Sequence, residues 1–117
     1  MKELKMDLLT AKYTKVLVEE EYQFNAPHRF SVVRAEDGEV LCDIHFQEGP
    51  VGECGVNGVA NEDLINMVLC RLQSFQWSEY KCRENAVAIT KLEEALLWLR
   101  MRTMGRENRG VEGTSKV

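Results

Sequence analysis

Two long helical patterns separated by a short turn constrain the fold of this chain more than any other feature of its sequence. The first begins near Asn61, a good N-cap residue that is followed by two acidic residues, which suit the positive end of a helix dipole. Its apolar stripe comprises Leu64, Val68, Leu72 and Phe75. The second pattern runs from about residue 83 to residue 104. Because the turn between them is short, the two patterns predict an antiparallel helical hairpin.

The second helical pattern is apolar on more than one side. Its three apolar lines are Ala86, Ile89, Leu92, Leu96 and Leu99, then Ala88, Ala95 and Trp98, then Leu97, Met101 and Met104. A monomeric two-layer domain covers one broad helix face, so the excess indicates burial against another subunit. We therefore expect a homo-oligomer that assembles through the helices, most simply with two-fold symmetry. The alternative is that the N-terminal segments of the same chain cover the extra lines.

The first 48 residues carry β-strand patterns instead. Strands are predicted at Arg29–Arg34 and at 39–46, joined by a turn that ends in Gly38, which can adopt a positive φ. One face of the second strand collects Val40, Cys42, Ile44 and Phe46. A weaker pattern predicts a strand at 15–19. Because an isolated β-hairpin is marginally stable, we expect a small antiparallel sheet packed on the helical hairpin, and hence an α+β fold.

Two further segments each allow two interpretations. The connector at 49–60 has a glycine at every third position, in a spacing that matches no phosphate-binding loop. It is either an irregular sheet-to-helix connection or a loop that closes over a ligand. The polar segment 106–117, after the hairpin at 61–105, is either a frayed tail or a segment that folds across a ligand. With the β-rich part at 1–48, these segments predict a single domain of 117 residues.

Composition limits the classes of function. The formal net charge is -4 and the pI is about 5.2, which disfavours binding to long nucleic acid. No apolar run reaches the ~20 residues of a membrane-spanning helix, and the N-terminus lacks the apolar region of a signal peptide. We therefore expect a cytosolic protein without membrane contact. The four cysteines form no Cys-x-x-Cys pair, so we expect free thiols, no metal and no other cofactor.

A row of arginines at the end of the second helix is the most informative functional feature. Arg102, Arg106 and Arg109 are spaced four and three residues apart, so one helical face carries all three. Arginine binds phosphate oxygens two at a time, and on an acidic chain this cationic strip predicts a small anionic ligand. Arginine near a helix C-terminus also stabilises the helix dipole by about 0.3–1 kcal/mol, so a purely structural role stays open.

The other candidate contacts lie at the bend of the hairpin. Phe75 can stack on a purine, and Asn85 carries an amide suited to a base or ribose edge. Arg102 lies about 25 Å further along the helix than Asn85, at 1.5 Å per residue. One chain therefore cannot bring both onto a small ligand, which favours a pocket shared between two antiparallel chains. No base, nucleophile and oxyanion donor occur together, so we expect no catalytic residues.

The C-terminal half also contains an ordered series of short sequence motifs that resemble those of a known family. These are GVNG at 55–58, NEDL at 61–64, RLQSFQ at 71–76, CRENA at 82–86, KLEEA at 91–95, WL at 98–99, RT at 102–103 and RGVEGT at 109–114. Over about residues 49–117 the chain resembles the first Thoeris anti-defense family of phage proteins, a branch of the helical-hairpin nucleotide sponges. The resemblance implies a phage protein that acts in the host bacterial cytoplasm.

The resemblance also implies a function that composition cannot supply. Family members capture glycocyclic ADP-ribose signals made by bacterial TIR-domain enzymes and hold them intact, in pockets between subunits. Carried onto this chain, the implied contacts are Phe75, Asn85, Arg102 and Arg106, with weaker transfers to Arg109, Gly110, Val111 and Thr114. The expected assembly is a dimer or a trimer of dimers. It stays open whether the chain also binds the cyclic di- and trinucleotides of CBASS defense, as some members do.

Two alternatives to a non-catalytic sponge remain at this point. The same pocket in an enzyme would hydrolyse the nucleotide signal. The hairpin of a structural module would only drive oligomerisation and would bind no nucleotide.

Overall fold

A computed structural model describes residues 1 to 117 of the chain, in two compact units. The first unit, Met1–Val59, contains a four-stranded antiparallel sheet and one short helix. The second unit, Ala60–Val117, contains two long helices that pack against each other. The predicted α+β class is confirmed.

The sheet follows the order of the chain. Its strands are β1 (Lys2–Leu4), β2 (Thr14–Val18), β3 (Arg29–Arg34) and β4 (Val40–His45), and each is antiparallel to the next. The strands predicted at β2, β3 and β4 are confirmed within one residue at each end. Strand β1 was not predicted, because three residues are too short to show an alternating pattern.

The turn between β3 and β4 forms as its sequence predicts. Gly38 adopts φ 76° and its amide donates to the carbonyl of Arg34 at 2.8 Å. The Arg34 guanidinium pairs with Asp37 at 2.8 Å and with Glu39 at 2.6 Å across the turn. These exposed pairs contribute little energy singly, but they favour one conformation of the turn.

A β-bulge in β4 interrupts the alternation expected for that strand. Val32 is opposite Cys42 while Val33 is opposite Val40, so Leu41 is left without a partner. Val40 therefore lies on the other side of the sheet from Cys42, and the prediction that they share a face is wrong. The predicted face holds further along, where the rings of Phe30 and Phe46 meet edge to face at 5.6 Å.

The glycine-rich connector is more ordered than expected. It contains a one-turn helix, α1 (Val51–Cys54), in a stretch predicted to be irregular. The Gln47 side chain donates to the carbonyls of Gly49 and Gly55, and Asn57 bonds the backbone of Glu48 through both side-chain atoms. A Cβ on Gly58 would lie 2.5 Å from the Phe46 carbonyl carbon, so only glycine fits there. The side chains of Gln47 and Asn57 thus brace the backbone of the connector and of the residues just before it.

The helical unit consists of α2 (Asn61–Gln76) and α3 (Arg83–Asn108). The predicted hairpin is confirmed, with two corrections at its ends. Ala60 is the N-cap of α2, and the Asp63 carboxylate accepts its amide at 2.8 Å, so the predicted cap at Asn61 is wrong by one residue. Helix α3 extends four residues beyond the predicted end at 104. The sequence did not predict this extension, because these residues carry no apolar period.

Burial follows one stripe of each long helix. The buried and half-buried apolar positions are Leu64, Ile65, Leu69 and Leu72 on α2, and Ala88, Ile89, Leu92, Ala95, Leu96 and Leu99 on α3. Val68 and Phe75, which were predicted in the core stripe of α2, are exposed. The extra apolar lines predicted on α3 include Trp98, which is 68% exposed in the single chain.

Candidate functional site

The bend of the hairpin holds the first group of candidate residues. Phe75 lies one residue before the end of α2 and is 39% exposed. It lines an open cavity of about 510 Å³ together with six other residues, which are Met67, Cys70, Arg71, Ser74, Ser78 and Tyr80. The Arg71 guanidinium carbon lies 5.3 Å from the centroid of the Phe75 ring, a cation–π contact. The cavity thus combines aromatic surface with one cation.

Side-chain hydrogen bonds hold the bend in a defined shape. The Gln76 side chain donates to the Cys82 carbonyl at 3.0 Å and accepts the Cys82 amide at 2.9 Å. The Ser78 hydroxyl donates to the Phe75 carbonyl at 2.6 Å and accepts the Tyr80 amide at 3.1 Å. These bonds close the turn, so the cavity walls do not depend on a ligand for their arrangement.

Asn85 is the third residue of α3 and is half-buried. Its backbone amide donates to the Cys82 sulfur at 3.5 Å, which makes Cys82 the N-cap of the helix. Its side-chain amide makes no hydrogen bond within the chain. The donor and acceptor atoms of this amide are therefore available to a ligand or to a second chain.

The three predicted arginines differ in what their guanidinium groups already contact. Arg102 is exposed and makes no hydrogen bond or ion pair. Arg106 is half-buried, and its Nη2 donates to the carbonyls of Val111 and Thr114, each at 3.0 Å. Arg109 follows α3 directly, and its Nη1 donates to the backbone oxygen of Val117 at 2.6 Å. Only Arg102 therefore has all its donors free, while Arg106 keeps Nε and Nη1 for an anion.

The polar C-terminal segment folds back on the end of α3. Gly110 adopts φ 71°, which reverses the chain after the helix, and the Val111 amide donates to the Arg106 carbonyl at 3.0 Å. The Thr114 hydroxyl donates to the Val111 carbonyl at 2.5 Å. The segment predicted as either a tail or a ligand cover is therefore an ordered turn, held by the same Arg106 that was predicted to bind phosphate.

Within one chain the candidates form two groups. Phe75 and Asn85 belong to the bend, whereas Arg102 and the residues from Arg106 to Thr114 belong to the far end of α3. The 17 residues of continuous helix from Asn85 to Arg102 separate the groups by about 25 Å. Sequence reasoning missed Arg71 and Tyr80. The spacing of Arg71 and Phe75, four apart on a helix, was the available signal.

The acidic, histidine and cysteine side chains form no candidate metal cluster. No group of three or more His, Cys, Asp and Glu side chains lies close enough to hold a metal ion. The four cysteines are exposed and free. No helix has an apolar stretch long enough to cross a bilayer.

Comparison with known proteins gives consistent results. The family model described as the Acb2/Tad1 hairpin domain matches residues 38–104, which is more than half of the chain. A relative from Bacillus phage SBSphiJ7, described as Thoeris anti-defense 1, is 50% identical over 139 residues, covering 97% of this chain and 98% of the relative. Because this aligned length exceeds 117 residues, the relative has internal residues without counterparts here. The chain therefore belongs to the Acb2/Tad1 hairpin family and is a homologue of Thoeris anti-defense 1, as its sequence resemblance predicted.

Proposed function

We propose that this protein is a phage sponge that binds glycocyclic ADP-ribose signals made by TIR-domain enzymes in the bacterial cytoplasm and withholds them from the Thoeris effector. Family membership supplies the anti-Thoeris role. The observation that carries the choice of ligand is the separation of an aromatic, amide-bearing bend from an arginine end with free donors. A cyclic ADP-ribose offers a partner for each, because it has both an adenine ring and a pyrophosphate.

A second copy of the chain brings the two groups together. In an antiparallel pair of hairpins, the bend of one protomer lies beside the arginine end of its partner, and two equivalent pockets result. The exposed apolar lines of α3, which include Trp98 and Met101, supply the surface for this pairing. The proposed assembly is a dimer or a trimer of dimers.

The binding energy required of a sponge is attainable with these groups. Nanomolar affinity corresponds to about -12 kcal/mol. Stacking of a base on an aromatic ring contributes about 1–3 kcal/mol, and each hydrogen bond to a charged group about 1.5–3 kcal/mol. Because the bend and the C-terminal turn are already ordered by their own hydrogen bonds, little further ordering is needed on binding.

We also propose that the signal leaves the protein chemically unchanged. The side chains near Phe75 and Arg102 do not combine a base, a nucleophile and an oxyanion donor, and hydrolysis requires all three together. The test is to incubate the protein with the signal, remove free ligand, denature the complex by heat and analyse the released molecule by mass spectrometry. Recovery of the intact signal with restored effector activation is the expected result.

Other results of the same experiment point to other functions. Hydrolysed products in the released fraction would identify an enzyme. Calorimetry without heat for any cyclic nucleotide would identify an oligomerisation module. Including cyclic di- and trinucleotides in that panel also tests the proposal that the CBASS class of signals is a second ligand.

A further inference from the structure

The cavity at the bend contains a cation that the family-derived site does not include. Arg71 is the one charged residue among those that line it. Its guanidinium makes no hydrogen bond or ion pair, although the chain as a whole carries a net charge of -4. Its only contact through charge is with the Phe75 ring, at 5.3 Å. An arginine left unpaired on an acidic protein retains all five N–H donors for an anion.

The rest of the cavity suits a purine base. Phe75 and Tyr80 are 39% and 70% exposed, so both present ring surface to the cavity. The Ser74 hydroxyl donates to the Cys70 carbonyl at 2.9 Å, which leaves its oxygen free to accept from an exocyclic amino group. The volume of about 510 Å³ is within the roughly 300–1,000 Å³ range of small-ligand sites. Every one of these residues belongs to a single stretch of one chain, from the middle of α2 to the bend.

We propose that Arg71, Phe75 and Tyr80 form an adenine-nucleotide half-site that is complete within one protomer. The base stacks on the aromatic surface, and Arg71 binds a phosphate oxygen attached to the same nucleoside. The inference rests on the proposed function, since the half-site would take the adenosine phosphate part of the cyclic signal. The arginine end of the partner would then hold the remainder.

The arrangement gives Arg71 two tasks. Its guanidinium lies over the Phe75 ring, 5.3 Å from the centroid, in a contact that is favourable in itself. Its N–H groups have no carboxylate partner within the chain, so a phosphate meets no intramolecular competitor. A lysine keeps the charge but loses the planar stack and the paired donors, so it should replace arginine only in part.

The test uses AMP as the probe, because AMP contains the base, ribose and phosphate of the adenosine part of the signal and lacks the second ribose and second phosphate. Isothermal calorimetry compares the full-length wild-type protein with Arg71→Ala, Arg71→Lys and Arg83→Ala. Arg83 is an exposed, unpaired arginine near the same bend that does not line the cavity, so its removal controls for the change in net charge. We expect AMP affinity to fall about tenfold in Arg71→Ala, to fall less in Arg71→Lys and to stay unchanged in Arg83→Ala.

Two results would overturn the half-site. One is equal AMP affinity in the wild-type protein and Arg71→Ala, and the other is absence of AMP binding by the wild-type protein. Retention of the TIR-made signal by the same wild-type preparation is measured in parallel. It separates a failure of the half-site from a failure of the sponge function, because the signal can still bind through other groups. Circular dichroism of each variant confirms that the helices are intact.

Discussion

At the scale of single residues, Arg102 and Arg106 have different roles although they lie on the same helical face. Arg106 donates from one nitrogen to two backbone carbonyls, so its removal would loosen the C-terminal turn as well as the proposed ligand contact. Arg102 makes no intramolecular bond, so its removal changes only what it contacts in a complex. Arg102 is therefore the cleaner test of the proposed phosphate contact.

We expect Arg102→Ala to weaken binding of the TIR-made signal by about tenfold to a hundredfold, since a hydrogen bond to a charged group contributes about 1.5–3 kcal/mol. Calorimetry with the purified signal measures the effect. The matched control is Arg100→Ala, which removes an exposed arginine of the same helix that pairs with Glu107 at 3.3 Å. Equal affinity in the two variants would contradict the assignment of Arg102.

Leu69 is the one buried hydrophobic residue of the helical unit. It is 6% exposed, whereas its neighbour Val68 is exposed. Leu69→Ala should lower the free energy of unfolding by about 2–5 kcal/mol through lost burial and a residual cavity. Val68→Ala should change it by less than about 0.5 kcal/mol, as is usual at exposed sites. Chemical denaturation of both variants measures the difference, and similar midpoints would show that the α2 stripe is assigned wrongly.

At the scale of elements, two glycines near the end of α3 allow a matched experiment on the C-terminal turn. Gly105 lies inside the helix and Gly110 adopts φ 71° after it, and a Cβ on either would meet no atom within 4 Å. Alanine should stabilise the helix at Gly105 by about 0.5–1 kcal/mol. At Gly110 it should cost about 1–2 kcal/mol through the left-handed backbone.

Amide hydrogen exchange reads out the two changes separately. Gly110→Ala should accelerate exchange at the Val111 amide, which is bonded to the Arg106 carbonyl at 3.0 Å, and should weaken signal binding. Gly105→Ala should leave that exchange rate unchanged or slower. Unaltered protection at Val111 in Gly110→Ala would mean that the turn does not depend on this backbone conformation.

The elements that the sequence predicted are those with a sustained period. Both long helices and the β3–β4 hairpin carry repeating apolar patterns, and the hairpin also has a glycine turn. Some errors lie where the spacing carries no information: β1 is too short, Leu41 is inserted as a bulge, and α3 continues through polar residues. Others lie within a correct period, since Val68 and Phe75 of the predicted α2 stripe are exposed. The hydrogen bonds from Arg106 to the carbonyls of Val111 and Thr114 could not be predicted either, because every residue has a backbone carbonyl and the sequence does not show which ones accept.

At the scale of the whole molecule, the distance between the two groups of candidate residues bears on how many chains build one pocket. The bend group and the arginine end are separated by about 25 Å of rigid helix, so a small ligand touches both only if they come from different chains. The exposed Trp98, between the two groups on α3, is a surface that a second copy would cover. A pocket shared between two chains can be assembled from the intact parts of two different variants, whereas a pocket within one chain cannot.

We expect two variants with weakened binding to restore wild-type affinity when they are mixed. Phe75→Ala damages only the bend and Arg102→Ala only the arginine end. In a mixed pair, one pocket contains both changes and the other contains neither. Random pairing by co-expression should therefore return about one quarter of the wild-type binding capacity at wild-type affinity, since half of the pairs are mixed and each has one intact pocket. Calorimetric stoichiometry measures that capacity, and the separately purified variants, combined without exchange of subunits, serve as the control. If each pocket is built from one chain, no mixture regains high affinity, because every chain then carries its own defect into its own pocket.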